Sequence, residues 1–220
     1  MQRYKLRLLV AVLTFFLGVS VFKAINFLED AFVEHFSTAN ISSISVPTTD
    51  ALESNEIYKV ILTQFDDADV KLLVVQSESQ GYVLSAEESP AKDLDQQEAF
   101  SLTVRRFMPE ADTETLENYL SANKMSGPLT ISAPDLNIAL IARPDYSDDL
   151  GWFWEKFYKT YPNSSGLIQL SQVGFNNRHD QAFVYVARSC GGLCGGGSYI
   201  LLGKTNGRWV VLREEGLWVS

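Results

Sequence analysis

Residues 181–198 read QAFVYVARSCGGLCGGGS, and the fold turns on how this stretch is read. Its first nine positions are apolar on both alternating sets: Ala182, Val184 and Val186 on one side, Phe183, Tyr185 and Ala187 on the other. Such a strand is covered on both faces, so residues 181–189 are expected at the centre of a sheet. Cys190-Gly-Gly-Leu-Cys194 then turns the chain, and Gly195, Gly196 and Gly197 lead into a second β-rich run, 198–202. The stretch holds both cysteines and five of the 14 glycines. Gly191, Gly192, Gly195, Gly196 and Gly197 are therefore expected to build a tight, shaped loop in which backbone approaches backbone.

Downstream, Asn206-Gly207 is a strong hairpin signal, because both residues of a two-residue turn must accept positive φ. It joins 200–205 to 208–213 and predicts a register in which Leu202 faces Val211, Leu201 faces Leu212 and Lys204 faces Trp209. Large apolar side chains on both faces place that hairpin well inside the sheet. Upstream, apolar residues at 168 and 170 change phase to 173 and 175, which predicts a strand with a bulge near Ser171 and Gln172. Polar residues 176–180 make the next turn. From Leu167 onward the chain reads as a four-stranded antiparallel meander.

The rest of the chain supplies helices and two more strands. Asp50 and Glu53 have capping-box spacing before a helix whose face is Ile57, Tyr58, Ile61, Leu62 and Phe65. A buried strand is expected over 70–76, a polar surface excursion over 77–95, and a helix over 96–108 that Pro109 stops. Asp112 is the expected cap of a helix over 113–123 buried through Leu116, Tyr119 and Leu120. A strand follows over 136–143. Asp148 or Asp149 caps a helix over 150–161, the most aromatic segment of the chain. The fold class is α+β: the helices at 51–65 and 150–161 pack on a mostly antiparallel sheet ending in the four-stranded meander, with a cystatin-like or nuclear-transport-factor-like curved sheet as an analogy.

At 220 residues, 46% apolar and 20% charged, the composition is globular. Residues 1–28 differ. Arg3, Lys5 and Arg7 precede fifteen uncharged residues, 8–22, the pattern of an export signal peptide or an N-terminal membrane anchor. Fifteen helical residues reach only about 22 Å against a hydrocarbon core of about 30 Å. Residues 24–28 can extend the run into a transmembrane helix, with Lys23 reaching the head groups. The reading is an uncleaved anchor in the inner membrane, with a cleaved signal as the alternative. The basic flank puts the remainder on the extracytoplasmic, periplasmic side. Residues 29–49 read as a helix and a serine-rich linker, and 50–220 as one extracytoplasmic domain. From residue 24 onward there are 14 basic and 27 acidic residues, a net charge of −13 that repels nucleic acid and anionic membrane surfaces.

Candidate chemistry is sparse. Cys190 and Cys194 are disulfide candidates in an exported domain; the open alternatives are a reactive pair and free thiols, although three residues intervene where a thioredoxin-like motif has two. His179, beside Asp180 in a polar turn, is the one realistic histidine base. Successive hairpin turns fall at opposite ends of a sheet, which separates it from Cys190. Cys190, Cys194 and His179 lack a zinc spacing. Asp66, Asp67 and Asp69 lack the glycine and distal glutamate of a calcium loop, and Gly203-Lys204-Thr205 lacks the count and context of a phosphate loop. No metal, cofactor or catalytic residue is assigned. Trp152 belongs to an aromatic surface suited to a sheet, a sugar ring or a peptide. It joins His179 and Asp180 as a candidate surface site.

The order of motifs in the last third is Phe157-Tyr-x-x-Tyr161-Pro162, Val173-Gly-Phe-Asn176, Gln181-Ala-x-Val-Tyr-Val186, Cys190-Gly-Gly-Leu-Cys194-Gly, Gly207-x-Trp209 and Trp218-Val-Ser220. It resembles a group of exported bacterial proteins of uncharacterised function. The resemblance covers roughly residues 150–220 and implies an extracytoplasmic protein; it brings no catalytic residue. The functional expectation is a non-catalytic, membrane-tethered module that binds a protein or a small ligand. The alternative is a thiol-dependent enzyme or redox protein using the CGGLC loop.

Overall fold

The structure is a computed structural model describing residues 48–81, 96–144 and 150–220. The expected anchor, the expected helix and linker as far as residue 47, most of the expected excursion over 77–95 and the expected caps Asp148 and Asp149 lie outside these residues. The described helices are α1 (Thr49–Leu62), continued as a 3-10 turn through Phe65, α2 (Gln96–Phe107), α3 (Thr113–Ala122) and α4 (Leu150–Thr160). The strands are β1 (Leu72–Gln76), β2 (Ile138–Ile141), β3 (Ser164–Leu170), β4 (Gly174–Phe175), β5 (Gln181–Gly191), β6 (Cys194–Thr205) and β7 (Arg208–Val219). Among the described residues no helix is long and apolar enough to cross a membrane.

The strands form one sheet in the order β2-β1-β3-β5-β6-β7, with β4 also on β5. Strand β1 runs parallel to β2 and β3, whereas every pair from β3 onward is antiparallel. The α+β architecture and the C-terminal meander follow the sequence expectation. Alternation along β5 explains the layers. Ala182, Val184 and Val186 join Ile57, Tyr58, Ile61 and Leu62 of α1 in one core. Phe183, Tyr185 and Ala187 join Phe100 of α2 and Leu116 and Tyr119 of α3 on the other face. Beside the second core, α4 lays Phe157 on Val74 and Leu167. Both faces of β5 are thus dry, and its six residues from Ala182 to Ala187 are at most 4% exposed.

The phase change near Ser171 is a break in the strand. Ser171 keeps the pairing across the gap: its N–H donates to Tyr185 O at 3.0 Å and its Oγ accepts from Tyr185 N at 2.8 Å.

Four expectations are corrected. First, among the described residues β7 is an edge strand, not an interior one, and only Trp209 of its residues is buried. Second, Leu202 faces Val211 and Lys204 faces Trp209, but Leu201 pairs with Arg213, because a bulge leaves Leu212 over. Leu212 turns onto Gly203, where a Cβ would lie 2.7 Å from its Cδ1. Third, Thr48, not Asp50, caps α1, its hydroxyl accepting from Ala51 N at 3.3 Å. Fourth, β5 and β6 run past the cysteines, so the loop shrinks to Gly192-Leu193, and Gly195, Gly196 and Gly197 are strand residues paired with Ser189, Arg188 and Ala187.

The start of the polar segment 77–81 is also less superficial than expected. Ser79 is 2% exposed, and its Oγ accepts from Gly127 N at 2.9 Å.

Candidate functional site

Three places hold the residues singled out above. The first is a polar cluster where the turn 176–180 meets the starts of α1 and α3. Asn176, 1% exposed, organises the turn: its Oδ1 accepts from the N–H groups of Asp180 and Gln181, and its Nδ2 donates to Asp112 and Asp180 at 2.9 and 2.7 Å. His179 sits at φ +51°, which aims its ring back over the sheet end, stacked on Phe175 at 5.0 Å. Its Nδ1 is 2.9 Å from Glu53 Oε2 and its Nε2 3.6 Å from Asp50 Oδ1. Lys204 Nζ donates to the other oxygen of Glu53 at 2.5 Å and lies over the Trp209 ring. Burial pushes the Glu53 carboxyl upward, but the hydrogen bonds and charges of Lys204 and His179 outweigh it and hold the pKa below the ordinary value.

Asp180 bonds Arg178 at 2.9 Å, and that bond, with the one from Asn176, lowers its pKa. Asp112 occupies the cap position of α3, but its carboxylate faces Asn176 and Arg178 instead of the helix. Gln181 ties the helix start to β5 instead: its Oε1 accepts from Asp112 N at 2.7 Å and from the Thr115 hydroxyl at 3.1 Å. Charge meets charge throughout this cluster, so it reads as a clasp between elements, with no nucleophile poised in it. Among the described residues, no three His, Cys, Asp or Glu side chains converge on a metal-sized space.

The second place is the cysteine hairpin. Cys190 and Cys194 are disulfide-bonded, with Cα atoms 5.0 Å apart. The Tyr158 hydroxyl of α4 donates to Cys190 O at 2.9 Å. Gly166, at φ +101°, lets β3 pass so close that a Cβ there would stand 2.3 Å from Ser189 O. The tip is held from two sides, while Leu193 at its apex is 91% exposed. Strand β5 separates Cys190 from the His179 turn by about 30 Å at 3.3 Å per residue. These two residues are not brought together.

The third place is a cleft of about 570 Å³ between α4 and the end of β2. That volume is within the range of about 300–1,000 Å³ typical of ligand clefts. Ile141 and Ala142 form one wall; Trp152, Phe153, Lys156 and Phe157 form the other. Trp152 is therefore remote in kind from His179 and Asp180, and only it of the three lines this cleft. Phe157 is buried and fixed against Phe153 and Trp154, whereas Trp152 is 53% exposed with Lys156 Nζ 5.2 Å from its ring centre. Among the described residues Lys156 and the neighbouring Arg143 form no ion pair. A smaller hollow of about 430 Å³ beside His179 is lined by polar groups already in use, such as Asn118, whose Nδ2 donates to Phe175 O at 2.7 Å.

Sequence reasoning missed Lys156, Ile141 and Ala142. The available signal was Lys156 four residues after Trp152, which places the two on one helix face. No protein-family model, no curated protein and no solved structure matches this chain.

Proposed function

We propose that this protein is a non-catalytic, membrane-tethered extracytoplasmic binding module whose ligand seat is the cleft between α4 and β2. One observation carries the reading: a cleft of about 570 Å³ is walled by aromatic and aliphatic groups and carries Lys156, a cation that forms no ion pair among the described residues. The polar cluster, by contrast, spends its charges on itself. The disulfide fits an oxidising compartment, as does a basic N-terminus followed by an apolar run. A thiol-dependent enzyme has no thiolate while both sulfurs are bonded.

The test uses the full chain in nanodiscs of zwitterionic lipid, titrated with 2-naphthoate, an aromatic carboxylate, by saturation-transfer NMR. Saturable binding that falls at least fivefold in Lys156→Glu and in Trp152→Ala supports the seat. Both side chains are exposed, so neither change disturbs the core. Absent binding, or binding equal in all three proteins, rules it out.

A further inference from the structure

We propose that the cleft is one end of a groove that takes an extended acidic peptide, which adds to the sheet as a new strand alongside β2. This rests on the cleft being the ligand seat and names its ligand class. Among the described residues β2 is the outermost strand on its side, in unbroken parallel register with β1 from Leu73↔Ile138 to Gln76↔Ile141. Leu73 N donates to Asn137 O at 2.9 Å and Ser77 N to Ile141 O at 2.7 Å. Backbone groups of successive strand residues point to opposite sides, so Ile138, Leu140 and Ala142 direct their N–H and C=O groups away from β1. These are the donors and acceptors a further strand requires.

The two edges of the sheet differ in a way that selects this one. Strand β7 carries two bulges and the run Arg213-Glu-Glu215, devices that keep other chains off an edge. Strand β2 has neither. Its four residues are Ile-Ala-Leu-Ile, and Leu140 is 43% exposed. A strand laid along it drops alternate side chains toward α4, into the space bounded by Ile141, Phe153 and Phe157. Lys156 on α4 lines this groove, and the exposed Arg143 follows Ala142 just past β2; both are cations in a body of net charge −13, so the complementary ligand bears an acidic side chain or a terminal carboxylate.

A phage-displayed library of random nine-residue peptides with free C-termini is selected against the full chain in nanodiscs. The expected peptides alternate apolar residues with polar ones and carry a carboxylate. Their affinity drops tenfold or more in Lys156→Glu. It drops similarly in Leu140→Pro, which removes one outward N–H and no bond to β1. N-methylation of alternate peptide nitrogens, which leaves the protein untouched, abolishes binding, and the Leu140 and Ala142 amides gain exchange protection on binding. No enrichment, or peptides indifferent to both Leu140→Pro and N-methylation, overturns strand addition; if 2-naphthoate still binds through Lys156, the cleft survives as a small-anion seat. Loss of both probes ends both readings. Leu140 and Ala142 amides already protected without peptide would show the groove filled by this chain itself, which also overturns the proposal.

Discussion

His179 Nδ1 and Glu53 Oε2 stand 2.9 Å apart across 126 residues of sequence, and this contact locks the N-terminal half of α1 onto the turn that feeds β5. Lys204 holds the other oxygen of the same carboxylate, so β6 joins the clasp. The Glu53 side chain is only 16% exposed, so water replaces these partners poorly.

Replacing Glu53 with Gln is therefore expected to lower stability by about 1–3 kcal/mol at neutral pH. The pKa of Glu53 is lowered on folding, so its contribution is complete above the unfolded value near 4.5 and fades as pH falls through the lower folded value. Thermal melts at neutral pH and near pH 3 should show the gap between wild type and E53Q closing in acid. A gap that stays constant or widens over that range refutes the clasp.

Legibility followed how local the cause is. Asn206 and Gly207 have φ +52° and +75°, so the turn chemistry is contained in two residues, and it was readable. The break at Ser171 and the double-sided burial of β5 were equally open, because each is written in the alternation of a single segment. What could not be read depends on partners far along the chain. Gly195 to Gly197 look like loop until Trp218 is known to cross above them. Leu212 looks paired until Gly203 offers it room. The cleft was hidden for the same reason: among the described residues β2 is an edge because β1 pairs in parallel with it on one side and with β3 on the other.

The start of α3 is held by Gln181, a residue the sequence did not single out there, whereas the expected cap Asp112 makes no side-chain bond to the helix. Gln181→Met leaves Asp112 N–H and the fully buried Thr115 hydroxyl without their acceptor, and is expected to lower stability by about 1–2 kcal/mol. Asp112→Asn keeps a hydrogen-bonding side chain toward Arg178 and leaves the helix N-terminus unaltered, so its effect should be under about 1 kcal/mol. Urea denaturation of the pair decides the order; the reverse ranking would mean that the Asp112 carboxylate, through Asn176 and Arg178, holds the start of α3 more firmly than Gln181 does.

The disulfide closes a short loop in a hairpin whose ladder already extends from Gln181↔Gly203 to Gly191↔Cys194. A double Cys190→Ser, Cys194→Ser variant is expected to lose at most about 2 kcal/mol, as chain entropy gives for so small a loop. Amide exchange should quicken only near the tip and at Tyr158, whose hydroxyl rests on Cys190 O. Unfolding of the whole sheet in that variant would contradict a local staple.

Gly197 has the tightest surroundings of the three glycines in β6 beside the hairpin. A Cβ there would stand 2.3 Å from Trp218 Nε1 and 2.4 Å from the Tyr185 hydroxyl, two groups that bond each other at 2.8 Å. Gly197→Ala must push Trp218 off the sheet, break that bond and open the core beneath Tyr199, at an expected cost of about 2–4 kcal/mol. Gly192→Ala is the matched control, since nothing lies within 4 Å of its would-be Cβ, and its effect should stay within about 0.5 kcal/mol. Melting temperature and the emission wavelength of tryptophan read the two together: Gly197→Ala shifts both, downward in temperature and to the red, and Gly192→Ala shifts neither. Equal melts for the two variants would mean that Trp218 does not pack where β6 lacks a side chain, and the reason for a glycine run inside a strand would be lost.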